Sequence, residues 1–126
     1  MEKTRGMAED EVAKLITKFE KEYLGRGPMD VRTRFIDDLI LVRVRGVMTQ
    51  AEQKLCETGN GQQLIKEMRR HLFESGHAFL ETMVRDTVGG ELISVHSDIS
   101  TKTGERVIVL VVNENLEEKF PAKKTQ

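Results

Sequence analysis

The chain has 126 residues, a third of them charged, with a net charge of −1 and one cysteine. That length supports a single domain able to bury roughly two thirds of its unfolded surface. The near-neutral balance argues against a nucleic-acid binder, and Cys56 alone excludes an intrachain disulfide.

Residues 1–10 are charged and lack an apolar stretch, so no signal peptide is expected. No run approaches the roughly 20 apolar residues that span a bilayer, so a membrane connection would pass through a partner. Cys56 lies in a helical stretch with no second cysteine near it and reads as a small apolar residue. A reducing, cytoplasmic setting is expected.

Val12, Leu15, Ile16, Phe19 and Tyr23 follow helical spacing and predict an amphipathic helix over about 8–24. Gly25-Arg26-Gly27-Pro28 should stop it. Its apolar stripe is expected to pack on the domain's own sheet, with a dimer seam as the alternative. Val31–Ile36 and Leu39–Val47 read as strands joined by a tight turn at Asp37-Asp38. Thr49 and Glu52 form a capping box for a short helix over 50–57, which Thr58-Gly59-Asn60-Gly61 should break.

One long helix is expected over about 62–87, with the stripe Leu64, Ile65, Met68, Leu72, Phe79, Met83 and Val84, and with distortion at Ser75-Gly76. Gly89-Gly90 ends it, and a second hairpin follows with strands at 91–95 and 107–112. Residues 115–126 are polar and predict a frayed tail beyond an ordered core of 8–114. The fold class is therefore α+β. Two β-hairpins would form a small, mainly antiparallel sheet against an N-terminal helix and a long central helix.

The two-residue turn sets the register of the first hairpin. Val31, Thr33 and Phe35 oppose Val44, Val42 and Ile40 on a core face. The other face sets Arg32 opposite Arg43 and Arg34 opposite Leu41, with Arg45 beside Asp30. Like charges directly across a sheet repel, so a carboxylate, solvent or a bound anion must offset them. Arginine's planar fork suits paired oxygens of carboxylate, bicarbonate or phosphate.

The second hairpin carries His96-Ser97-Asp98-Ile99-Ser100-Thr101-Lys102-Thr103-Gly104-Glu105-Arg106. A turn at 101–104 followed by a left-handed glycine predicts Ile99 opposite Val107 and His96 opposite Leu110. Val107–Val112 is apolar on both faces and belongs in the middle of a sheet or under a second layer. His96 and Asp98, two residues apart on one face, could act as an acid–base pair. The bland reading has Asp98 paired with a first-hairpin arginine and His96 satisfied in the core. Lys102 and the adjoining hydroxyls could present donors to an anion. His71 and His77 are six apart and do not share a helix face, so no metal site is predicted.

Three stretches together carry a resemblance: Phe19–Pro28, Arg43–Thr49 with Glu52, and His96–Arg106. Over roughly residues 8–116 the chain resembles small bacterial proteins of the MpsC-like family, named for a Na+-translocating membrane-potential-generating system. The resemblance implies a small soluble component of a membrane assembly linked to sodium movement and inorganic-carbon supply. It brings no established functional residues.

The expected function is a non-enzymatic accessory module, a homodimer, that binds an anionic ligand or an acidic partner surface. Arg32, Arg34, Arg43 and Arg45 would supply charge, while His96, Asp98 and Lys102 would orient the ligand. The partner would be an integral-membrane protein or a small anion. Nucleic acid is disfavoured, because no aromatic residue is interleaved with the arginines. No cofactor is called for. A small enzyme using His96 and Asp98 is the alternative.

Overall fold

The computed structural model describes residues 3–24 and 27–122. Along them run α1 (Arg5–Leu24), β1 (Asp30–Ile36), β2 (Leu39–Arg45), α2 (Gln50–Leu55), α3 (Gly59–Ser75), α4 (His77–Val88), β3 (Leu92–Ile99), β4 (Arg106–Val112) and α5 (Leu116–Lys119). The strands form one antiparallel sheet in the order β1-β2-β4-β3, with the helices on one face. This is the expected α+β class, and β4 lies inside the sheet as its two apolar faces require. The Gly25-Arg26 part of the predicted helix stop lies outside the described residues.

Helix α1 buries Ala8, Val12, Ile16 and Phe19 completely, a stripe spaced by three or four residues, and lies chiefly over β1. Opposite it the sheet supplies Phe35, Ile40, Val42, Val44, Ile108, Leu110 and Val112. Phe19 is the hub of an aromatic group, with its ring 5.0 Å from Tyr23 and 5.5 Å from Phe73 and Phe79. The first hairpin has the predicted register, from Ile36 opposite Leu39 out to Asp30 opposite Arg45. Asp37 takes a positive φ of 53° in the turn, and its N–H and C=O are held by Glu117 and by the Leu116 amide.

Three expected element boundaries are corrected. The predicted long helix is two helices that meet at Gly76, where the chain passes against the buried Phe19 ring and leaves no room for a side chain. Gly76→Ala should therefore cost about 1–3 kcal/mol through overpacking, measured as a fall in the urea midpoint. Thr58 does not end the preceding structure alone. It caps α3, accepting the Gly61 N–H at 3.0 Å, so Gly59–Gly61 form the first turn of that helix. Residues 116–119 are helical, and Leu116 and Phe120 are buried, with Phe120 5.8 Å from the Phe35 ring. The expected tail is thus docked on β1 as far as the described residues run.

The second hairpin is shifted by one residue from the predicted register. The Ser100 N–H donates to the Glu105 carbonyl at 2.8 Å, and that of Gly104 (φ 73°) donates to the Ser100 carbonyl. The loop is therefore four residues long, with Gly104 taking the left-handed position that other residues resist. Ile99 faces Arg106, His96 faces Val109 and Asp98 faces Val107.

Candidate functional site

The face of the sheet away from the helices has no cover among the described residues. Its side chains form rows across the four strands. Arg32, Arg43, Val107 and Asp98 make one row, Arg34, Leu41, Val109 and His96 the next, and Ile36, Leu39, Val111 and Ser94 the third. The face therefore grades from apolar at the Asp37 end to charged at the other, with Leu39, Leu41, Val107, Val109 and Val111 half-buried and the four arginines exposed.

The charge that offsets the arginine row comes from Glu105. Its Oε2 lies 2.7 Å from Arg43 Nη2 and 3.4 Å from Arg45 Nε. Hydrogen bonding from Arg43, aided by the nearby Arg45, holds this carboxyl below the usual carboxylate range against the opposing effect of desolvation. Asp30 pairs with Arg32 at 3.1 Å, and Arg34 donates to its neighbour's carbonyl, Thr33 O, at 2.9 Å.

Asp98 does not neutralise these arginines. Two strand spacings, roughly 10 Å, separate it from Arg43, and its Oδ1 instead accepts from the Ile99 N–H at 2.9 Å and lies 3.4 Å from Lys66 Nζ. His96 is exposed rather than set in the core, with Nε2 3.2 Å from Ser94 Oγ. The two side chains share a face, but each has its own partner. Lys102 sits apart on the β3–β4 turn, beside the end of α2 with Cys56 and Glu57.

Besides Glu20 of α1, two charged side chains that the sequence reading does not single out are buried on the helix side. Arg69 of α3 and Arg106 of β4 are each only 2% exposed. Arg69 grips both oxygens of Glu52, at 2.8 and 2.6 Å, and the Val47 carbonyl at 2.7 Å. Arg106 faces Glu20 at 3.2 Å, donates to Ser97 Oγ at 3.0 Å, and stacks 5.2 Å from the Phe73 ring centre. Both arginines line a cleft of about 660 Å³ between α3 and β3. The signal for Arg69 was its position four residues from Ile65 and four from Phe73, both buried. Among the described residues no group of three or more His, Cys, Asp or Glu is placed to hold a metal ion.

A family model described as "Na+-translocating membrane potential-generating system (MpsC)" matches residues 4–114. The chain belongs to the MpsC family. This MpsC-family chain is similar to the "Uncharacterized protein YbcI" of Bacillus subtilis (strain 168), with 40% identity over 93% of the chain and 94% of the relative. A more distant relative, the "Uncharacterized protein YrhF" of the same organism, is 24% identical over 86% and 89% of the two chains. No solved structure matches. The MpsC description concerns a membrane system, and among the described residues no helix is long and apolar enough to cross a membrane.

Proposed function

We propose that this MpsC-family chain is a non-enzymatic docking module, which seats its open sheet face on an acidic, partly apolar surface of a membrane-embedded partner. The observation that carries the reading is the face itself. Apolar rows run into an exposed arginine row, and none of Arg32, Arg34, Arg43 and Arg45 lines the cleft beside His96. A small anion held by several groups needs convergence, whereas a protein surface is matched by a spread of charges around an apolar patch. The family's link to a sodium-translocating membrane system supplies the setting, with the chain acting from the cytoplasmic side through its partner. A homodimer through the same face would compete with that docking.

The test is co-sedimentation of the purified chain with membranes carrying the family's system. Arg43→Glu combined with Arg45→Glu should weaken capture at least tenfold, and rising salt should weaken wild-type capture. Both residues are exposed, so circular dichroism and thermal unfolding should show the variant folded. Capture unaffected by charge reversal and by salt would sink the reading. A thermal shift with millimolar bicarbonate or phosphate that Arg43→Ala abolishes would replace it with small-anion binding.

A further inference from the structure

The cleft between α3 and β3 has a feature that a simple pocket lacks: one wall is the free edge of a sheet. β3 pairs with β4 on one side and with no other strand among the described residues. The Ser100 to Glu105 hydrogen bond sets the alternation along the hairpin. Residues His96 and Asp98 therefore point their backbone groups toward β4, while Val95, Ser97 and Ile99 point theirs outward. The outward Ile99 N–H is taken by the Asp98 carboxylate, which Lys66 of α3 holds from across the cleft. Among the described residues, Val95 and Ser97 keep a free N–H and C=O facing the cleft edge.

Five consecutive residues, Val95–Ile99, form that wall, and the opposite wall is helical, with Lys66, Arg70 and Phe73 at spacings of four and three. A groove between an edge strand and a helix is the layout that takes an extended peptide by strand addition, where backbone hydrogen bonds give affinity. The floor adds a preference for charge. Arg69 and Arg106 both line the cleft, and Arg69 Nη1 and Arg106 Nη2 are buried without a hydrogen-bond partner, although Glu52 pairs with Arg69 and Glu20, its own oxygens unmatched, lies beside Arg106. Unsatisfied buried donors of this kind are costly, and a carboxylate on an incoming chain relieves them.

We propose that the β3–α3 cleft binds an extended acidic peptide segment of a partner protein as a fifth strand, paired to Val95 and Ser97 with a carboxylate directed to Arg69 and Arg106. Arg70 at the rim reinforces the choice of an acidic segment, against the opposing charges of Glu67 and Glu74, while Lys66 is matched by Asp98. The proposal is independent of the open sheet face. Reversing Arg43 and Arg45 leaves this cleft unchanged, so either reading can fail alone.

The probes are the octapeptide acetyl-(Val-Glu)4-amide, its Val-Lys counterpart, and inorganic phosphate. Amide hydrogen exchange is followed by NMR on the full chain. The acidic peptide should slow exchange at Val95 and Ser97 at least tenfold, and the lysine peptide should not. Val95→Pro removes an outward N–H without touching the β4 ladder, and should abolish the slowing at Ser97 while the rest of the sheet stays protected. Arg70→Glu, an exposed change, should reverse the order of the two peptides. No slowing with either peptide at millimolar concentration overturns the proposal. So does an equal response to phosphate, which would mark a small-anion site. Protection at Val95 and Ser97 that rises with protein concentration also overturns it, because a second copy would then occupy the edge.

Discussion

Replacing Arg106 with alanine is expected to lower the free energy of unfolding at neutral pH by about 3–5 kcal/mol, the usual cost of stranding one member of a buried ion pair. Glu20, its partner, is fully buried on α1, and neither of its oxygens is aligned for a hydrogen bond even though Arg106 Nε stands 3.2 Å away. With the guanidinium gone, only the charge of Arg69 remains nearby. Burial already pushes the Glu20 pKa upward, against the pull of Arg106 and then Arg69. Burial also draws Arg106 downward, against the attraction of Glu20. The shift bears on the protonation of Glu20 alone, because the guanidinium of Arg106 stays charged. A buried ion pair whose oxygens lack aligned hydrogen bonds recovers little of its desolvation cost, so an apolar contact of the same size can replace it. Glu20→Leu with Arg106→Met should be as stable as wild type or more so, by up to about 4 kcal/mol. Equal losses in the single and double variants, measured by urea unfolding, would refute this account.

The pH dependence follows from the same shift. A carboxyl whose folded pKa lies above its unfolded value near 4.3 binds its proton more tightly in the native state. Its contribution is therefore full below that unfolded value and is lost as pH rises through the folded pKa. The wild-type protein should lose stability relative to Glu20→Gln as pH is raised from about 4 to 8. The Arg106→Ala deficit should shrink at the acid end, because the stranded carboxyl takes up a proton. Glu52 and Glu105 act in the opposite sense: their folded pKa values are lowered, so the stability they give is present above the unfolded value and lost on acidification. A Glu20→Gln comparison removes that opposing background, since it is common to both proteins. A wild-type to Glu20→Gln difference that does not vary with pH would exclude Glu20 as the titrating group.

Much of the fold is legible in local pattern. The first hairpin was readable residue by residue because a two-residue turn leaves no freedom of register, so the arginine face followed from arithmetic. The second hairpin was not, because residues 101–105 offer several serviceable turn positions, and only the Ser100 to Glu105 bond decides among them. That one-residue shift puts Arg106, rather than Val107, in the core beside Ile99. Helix α3 misled for a related reason. Leu64 and Met68 look like its core face but are exposed, while Arg69 occupies the inward position between Ile65 and Phe73. A charged residue reads as solvent-facing unless its partner is known. Here the partners, Glu52 and Glu20, come from segments that only the finished fold brings near. The open arginine face was therefore visible in the sequence, whereas the α3–β3 cleft, built on those two hidden arginines, was not.

Arg69→Ala is the companion experiment, with an expected loss of about 3–5 kcal/mol by a different route. One guanidinium here fastens three pieces of chain: α3 through its own backbone, the N-terminus of α2 through Glu52, and the stretch after β2 through the Val47 carbonyl. Glu52 Oε1 also accepts the Thr49 N–H at 3.0 Å while Thr49 Oγ1 accepts the Glu52 N–H at 3.1 Å, so the salt bridge is built onto a capping box. Burial raises the Glu52 pKa, but hydrogen bonds from Arg69 and Thr49 outweigh it and leave the carboxyl lowered. This pair, unlike Glu20–Arg106, is bidentate and well aligned, so an apolar replacement of both partners should not recover wild-type stability. Arg69→Lys separates charge from geometry. A lysine keeps the charge but cannot reach Glu52 and Val47 together, and should recover about half of the loss. Full recovery would show that charge alone matters there. Hydrogen exchange at Thr49 and Glu52 should quicken in Arg69→Ala before global unfolding, because the helix end is the first piece released. If those amides exchange only with the whole molecule, α2 is held by something other than this arginine.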